Sequence, residues 1–366
     1  MTLRINSLGF QFIGFSLLIL IIFFRYFSEI PKYKNGDFVK ITSRVYTEPI
    51  VYERQQYLTL QGLKIYLPKY PEINYGDTII VTGTVDGNKL ATGYVLKNPK
   101  LIKIEESNKL LYGLRQKLIL FYKSSLPEPY ASLVAGITIG SKNMPSSFWD
   151  KLKKTGTAHV VVASGTNVTM VASFLISILT YFFKRKLAVF ITIAGIFVYV
   201  VLSGFDAPII RAGIMGSIAF LAQSKGRLVG SYRLLIYSGV LMLLIKPLWI
   251  TDLGFILSFV ATLSLMLFQK RINTKLSFVP NILREGLSTS LAAQVGVAPI
   301  IYVTFGQFNI LSPVINALIL WTVSYVMILG AIGGIIGLIV PLIGRLILFI
   351  AFPFLWWFVE IIKIFG

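Results

Sequence analysis

The groups able to do chemistry in this 366-residue chain are few and clustered. His159 is the sole histidine. It stands in Thr155-Gly156-Thr157-Ala158-His159-Val160-Val161-Val162-Ala163-Ser164-Gly165-Thr166-Asn167, which leads into a long apolar run. Imidazole, hydroxyl and carboxamide groups there can exchange protons or line a polar passage. No acidic residue lies close in sequence, so a Ser-His-Asp triad is a weak reading of Ser164. A polar break at Ser164, Gly165 and Asn167, lining an aqueous cavity where irregular backbone is tolerated, fits better. A purely structural hydrogen-bonding role for His159 stays open. Arg211 follows Pro208 by three residues in another apolar run. Its planar fork suits a phosphate, or it snorkels to the membrane interface. Asp206, in the turn Gly204-Phe205-Asp206-Ala207, and Asp252, at the head of a further run, are functional candidates or helix caps. Gln294 and Asn316, each inside a late apolar run, serve as glue between helices or as pore lining.

Composition removes whole classes of chemistry. With no cysteine there is no disulfide framework, thiolate metal site or cysteine nucleophile. One histidine excludes His-rich zinc and two-metal hydrolase sites. No G-x-x-x-x-G-K-[ST] stretch occurs, so P-loop nucleotide hydrolysis is excluded too. No catalytic residue, metal or cofactor is therefore expected. The formal charge of +20 points to polyanions, either lipid headgroups or nucleic acid.

The elements that must position these groups are mostly membrane-embedded. The chain is 55% hydrophobic and only 14% charged, and its mean hydropathy is +0.75. Residues 1–31 contain the run Leu8–Phe27, long enough to cross a bilayer and read as an uncleaved signal anchor. Residues 32–107 alternate Tyr, Thr, Val and Ile with polar residues. Strands are predicted at Phe38–Val45, Gln56–Leu67, Thr78–Asp86 and Leu90–Leu96, with a hairpin signal at Asp86-Gly87-Asn88. The domain is large enough for a modest barrel core. Residues 108–154 are predicted as amphipathic interfacial helices, basic around Lys109, Arg115, Lys117 and Lys123, with Trp149 at headgroup depth. From 155 to 366 the spans fall near 160–183, 187–203, 208–224, 233–249, 253–268, 286–304, 311–335 and 342–363. With the anchor these make about nine transmembrane helices. Gly330, Gly333, Gly334, Gly337 and Pro341 break the late helix or allow close packing. Lys184-Arg185-Lys186, then Lys225, Arg227 and Arg233, then Lys270, Arg271, Lys275 and Arg284 occupy alternate connections. The positive-inside rule puts these, and the N-terminus, in the cytoplasm and the β domain outside. That outer domain is itself net basic, which suits a polyanion ligand.

Five stretches resemble the ComEC competence-protein family, the inner-membrane DNA channel of bacterial natural transformation. They are Leu133-Val134-Ala135-Gly136-Ile137-Thr138-Ile139-Gly140; Thr155 to His159 with Ala163-Ser164-Gly165; Ser203-Gly204-Phe205 with Arg211 to Met215; Asp252-Leu253-Gly254-Phe255-Ile256-Leu257-Ser258-Phe259; and Ser290 to Pro299 with Phe305-Gly306-Gln307-Phe308 and Asn316. Each is weak alone; in this order and spacing they are specific. The likeness covers about residues 115–325. Asn167 stands where the family usually has a second histidine, which puts a proton-linked role in doubt. Many members also carry a metallo-β-lactamase-like domain with an H-x-H-x-D-H motif, so a chain with one histidine is expected not to supply that nuclease itself.

The resemblance implies a polytopic helical membrane protein with a small extracytoplasmic OB-like β-barrel domain, passing single-stranded DNA inward across the bacterial inner membrane. His159, Ser164, Gly165, Asn167, Arg211, Asp252, Gln294, Gln307 and Asn316 are the candidate path residues. Tyr46, Tyr52, Tyr57, Tyr66 and Tyr94 are candidates for stacking on a single strand, or ordinary strand packing. A separate nuclease, a DNA receptor and a cytoplasmic motor or helicase would be partners, together with anionic lipids; homo-oligomerisation is left open. The rival readings are a secondary transporter of a small anion, a membrane enzyme, and a non-transporting scaffold homologue. No internal repeat supports the transporter, and the shortage of histidine, cysteine and buried carboxylates argues against the enzyme.

Overall fold

The computed structural model describes residues 2–30, 33–52, 54–87, 94–107, 110–162, 164–306 and 308–366, with side chains from residue 16 onward except 282. Helix α1 (Thr2–Glu29) precedes six strands: β1 (Phe38–Arg44), β2 (Ile50–Val51), β3 (Gln55–Leu60), β4 (Leu63–Pro68), β5 (Thr78–Asp86) and β6 (Tyr94–Glu105). They form one mixed sheet in the order β1-β5-β6-β4-β3-β2, with β4 and β6 parallel. Period-two alternation sends Ile41, Leu58, Leu60, Leu63, Ile65, Leu67, Ile79, Val81, Val85 and Leu96 to one face, where they pack together as the sheet's own core. The sequence pointed to a barrel, but no ladder among the described residues joins β1 to β2, so the sheet is not closed. The predicted strand Gln56–Leu67 is a hairpin instead. Gln61 and Gly62 adopt φ of 49° and 83°, the pair of positive values that a two-residue hairpin turn requires. Residues 88–93, which include Asn88 of the Asp86-Gly87-Asn88 hairpin signal and the start of the predicted strand Leu90–Leu96, lie outside the described residues.

The helices follow: α2 (Leu110–Ser125), α3 (Tyr130–Ile139), α4 (Ser146–Lys154), α5 (Ala158–Val161), α6 (Gly165–Phe182), α7 (Arg185–Leu202), α8 (Ala207–Ser224), α9 (Ser231–Ile245), α10 (Leu253–Lys275), α11 (Asn281–Phe305), α12 (Ser312–Gly337) and α13 (Pro341–Phe365). Among the described residues, seven helical segments are long and apolar enough to cross a membrane: Ala158–Phe182, α7, α8, α10, Leu283–Phe305 within α11, α12 and α13. Exposed large apolar side chains such as Phe174, Phe190, Phe197, Val303 and Phe349 cover their outer surfaces, a coat that suits lipid rather than water. The span predicted near 233–249 is the 15-residue helix α9 followed by a 3-10 turn, Pro247–Thr251. At 1.5 Å per residue α9 reaches only about 22 Å.

Two helices sit deeper than their composition suggests. In α3, every residue from Ala131 to Ile139 is buried. On α2, Tyr112, Arg115, Leu118, Ile119, Phe121 and Tyr122 are buried, and Tyr122 Oη donates to the Gly330 carbonyl at 3.0 Å. The glycines of α12 make this possible. A Cβ on Gly334 would collide with Tyr122, and one on Gly337 with Phe121. Further along, Gly344 of α13 lies directly on the Gly337 backbone. These glycines pack the helix rather than break it, since α12 runs unbroken to Gly337.

Candidate functional site

Short connections make the helices from α6 onward alternate in direction. The sheet, α4, the turn at 203–206 and the segment 306–311 thus gather at one end of the bundle. Lys142 Nζ pairs with Asp206 at 2.8 Å, Asn309 Nδ2 donates to the Lys154 carbonyl at 2.7 Å, and Gly366 lies against Lys151. The basic connections after α6, α8 and α10 lie at the other end.

At the sheet end the chain breaks between α5 and α6. Val162 and Ser164 are extended, and α6 restarts at Gly165. Asn167 is fully buried. Its Nδ2 donates to the Ile137 carbonyl at 2.8 Å, and its Oδ1 accepts from Ser164 Oγ at 3.3 Å. Gly165 faces the first turns of α8: a Cβ there would stand 3.3 Å from both Arg211 Nη2 and the Ala212 Cβ. Arg211 Nη1 donates to the Ser258 carbonyl of α10. Its guanidinium lies 5.9 Å from the Phe259 ring centre. Its Nε and the Ser258 hydroxyl are buried without a partner among the described residues. The structure therefore brings Ser164, Gly165, Asn167 and Arg211 together.

A second polar group lies between α11 and α12. Asn316 Nδ2 donates to Ser290 Oγ at 3.0 Å and Ser312 Oγ at 3.3 Å, while its Oδ1 has no partner among the described residues. Ser312 in turn donates to the Gly156 carbonyl at 3.4 Å. Gln294 is half-buried one turn beyond Ser290. His159 is exposed on α5. Asp252 caps α10, accepting from the Phe255 N–H at 2.9 Å, while it too remains exposed. Gln307 lies outside the described residues.

The tyrosines divide. Tyr57 and Tyr66 are register partners on β3 and β4 with ring centres 5.1 Å apart. Burial, then the neighbouring Tyr57 and Tyr52 hydroxyls, push the Tyr66 hydroxyl pKa up. Tyr94 instead packs edge-on against Tyr33, and Tyr46 is exposed.

The junction between sheet and bundle was not legible in the sequence. Arg115, placed on the polar side of a surface helix, is 1% exposed. Its Nη2 donates to Glu48 at 2.8 Å, and its Nη1 reaches the carbonyls of Ile139 and Leu202 at the C-terminal ends of α3 and α7. A cation at two helix C-termini is favoured by both dipoles. Glu48 is satisfied by Ser141 Oγ at 2.8 Å and the Lys142 N–H at 2.5 Å. The Tyr75 ring lies 5.1 Å from the guanidinium, and its hydroxyl donates to the Val201 carbonyl at 2.8 Å. Burial raises the Tyr75 pKa. No sequence signal marks this node, because Glu48 and Arg115 stand 67 residues apart.

Fold and site thus define a polytopic membrane protein that carries an open β sheet on one end of its bundle. A family model described as "Competence protein" matches residues 137–366, and the chain belongs to that family. It is 27% identical over 226 residues to ComE operon protein 3 of Bacillus subtilis, covering 61% of this chain and 29% of that protein. It is 28% identical over 198 residues to an uncharacterized protein of Aquifex aeolicus, covering 54% of this chain and 45% of that one. The chain thus aligns with less than half the length of either relative. No solved structure matches it.

Proposed function

We propose that this chain forms the membrane channel through which single-stranded DNA passes inward across the bacterial inner membrane during natural transformation. The observation that carries this is the first polar group. A buried Asn167, an interrupted helix and an Arg211 whose Nε has no partner among the described residues converge at the end of the bundle where the basic sheet sits. An arginine fork at such a mouth meets phosphates in turn, and the sheet, in the place of an OB-like domain, holds the strand by stacking and charge. In this reading α1 and α9 complete nine spans, the N-terminus is cytoplasmic, and the basic connections face the cytoplasm and its anionic lipids. A separate nuclease, a DNA receptor and a motor or helicase supply cutting, delivery and pulling.

Uptake of labelled DNA into the cytoplasm of a deletion strain tests this, with surface binding scored separately. Arg211→Ala should abolish uptake at an unchanged membrane level of protein, and Arg211→Lys should be intermediate. Uptake that falls only in proportion to protein level would make Arg211 an anchor of the fold. Full uptake by Arg211→Ala would remove it from the path. A deletion strain that takes up DNA normally would leave the chain a scaffold.

A further inference from the structure

Lys97, Lys100 and Lys103 lie three residues apart on β6. In a regular strand, where faces alternate, Lys100 would point opposite to the other two. The register prevents this. Lys97 pairs with Thr84, Lys100 with Thr82 and Lys103 with Ile80, so β6 advances three residues for every two on β5. Two one-residue bulges take up the difference. One lies at Asn98-Pro99, where Asn98 adopts φ 47° and Pro99 has no N–H to give a ladder. The other lies at Ile102, which no β5 residue faces and which is 56% exposed.

All three lysines consequently emerge on the face opposite the sheet's apolar core, and all are exposed. Their β5 partners are two residues apart, so the lysines repeat at about 7 Å, the step of one nucleotide in an extended single strand. Lys40 of β1 pairs with Thr82 beside Lys100. On the other side, Lys64 and Tyr66 of β4 present the same face, and Ile65 pairs with Leu96, which puts Tyr66 next to Lys97. Two carboxylates share the surface: Asp86 bonds Lys97 at 2.6 Å and Glu105 bonds Lys103 at 2.5 Å. Both pairs are solvent-exposed and hold their lysines weakly. Lys100 has no ion pair among the described residues.

We infer that the two bulges of β6 build a phosphate ladder, in which Lys97, Lys100 and Lys103 bind consecutive phosphates of a single nucleic-acid strand running along β6. The strand's bases turn toward Tyr66 and Tyr57 at the Lys97 end. This rests on the DNA-binding reading above and adds the residues, the direction and the spacing. Regular spacing, rather than charge alone, is what the bulges supply.

The test uses the full-length protein in detergent and a fluorescent oligothymidylate, with anisotropy read over a salt series. Each phosphate neutralised on a single strand contributes about −0.7 to the slope of log affinity against log salt. Lys97→Gln/Lys100→Gln/Lys103→Gln should therefore flatten the slope by about 2 and weaken low-salt binding at least about tenfold. Lys184→Gln/Lys186→Gln, at the opposite end of the bundle, should leave both unchanged. Lys100→Gln/Ile102→Lys keeps the net charge but moves it off the repeat, and it should bind like Lys100→Gln alone. Rescue to the wild-type affinity would overturn the ladder and leave only a diffuse basic surface. An unchanged slope in the triple variant would also overturn it, with the DNA-binding reading intact. No wild-type binding at low salt would bring down that reading as well. Loss of binding to phosphatidylglycerol vesicles, with oligothymidylate binding retained, would make lipid the occupant and overturn the proposal.

Discussion

The two halves of the helical bundle are packed in different ways. Around α3, α12 and α13, contact is made through glycine. Gly330, Gly334 and Gly337 each admit a neighbouring side chain where a Cβ would collide, a Cβ on Gly333 would be tight against Ile347 and Leu348, and 44% of the most apolar stretch of α12 is buried. Around α8, α10 and α11 only 17% of each most apolar stretch is buried; apart from Ile209 of α8 and the close contact of Gly296 with Ser264, the local core is Ala207, Met242 and Phe255 with half-buried neighbours. Arg211 belongs to this thin half. In the channel reading proposed above, the tight half would be the support and the thin half the passage.

The sharpest way to break this contrast is to make the same substitution in both halves. A Cβ on Gly344 would meet the Gly337 backbone, which cannot yield, whereas one on Gly216 meets only Ile196 Cδ1 at 3.9 Å. Gly344→Ala should leave little folded protein in the membrane, by immunoblot of washed membranes. Gly216→Ala should be neutral or raise the melting point, since alanine is the better helix former by about 0.5–1 kcal/mol. Equal losses for both would erase the distinction.

Arg115 sharpens the comparison at the junction with the sheet. Arg115→Met leaves Glu48 buried without its partner and should cost about 3–5 kcal/mol. Thermal melting of the detergent-solubilised protein, followed by circular dichroism, would measure it. Adding Glu48→Leu should recover part of the loss, because neither charge then remains stranded. If the double variant is no better than the single one, the pair is not the source of the cost.

The smallest effect is expected at Asp252, in the thin half. Asp252→Ala removes an N-cap and should cost about 0.5–2 kcal/mol, with Asp252→Asn close to wild type. Uptake that drops in both variants at unchanged melting temperature would give the carboxylate a role beyond capping.

Much of the fold was legible because the signals were periodic or long. The spans at 187–203, 208–224, 253–268, 286–304, 311–335 and 342–363 each appear as one helix of nearly that extent. Alternation located β1 and β5. The hairpin inside Gln56–Leu67 was hidden because Gln61-Gly62 is a weak turn signal amid residues that otherwise read as strand. The packing of α2 was hidden for another reason. Its glycine partners on α12 lie about two hundred residues away, and only tertiary structure shows that Tyr122 meets Gly330. Of the candidate site, the convergence of Ser164, Gly165 and Arg211 could be suspected from residue type but not located. The Arg115 node and the lysine register on β6 could not be found at all, since one depends on a distant carboxylate and the other on two bulges.

The Arg115 node also dictates an order of assembly during synthesis. Glu48 precedes Arg115 in the chain, but the Leu202 carbonyl follows it by 87 residues, and the Val201 carbonyl follows Tyr75 by 126. At about 5–20 residues per second, roughly 4–17 s pass before α7 supplies the last acceptor. During that interval Arg115 and Glu48 can already meet each other, the Ile139 carbonyl, Ser141 and the Lys142 N–H, and only the α7 carbonyls are missing. The junction between sheet and bundle therefore forms in two stages, first against α2 and the turn after α3, and is complete only when α7 has emerged.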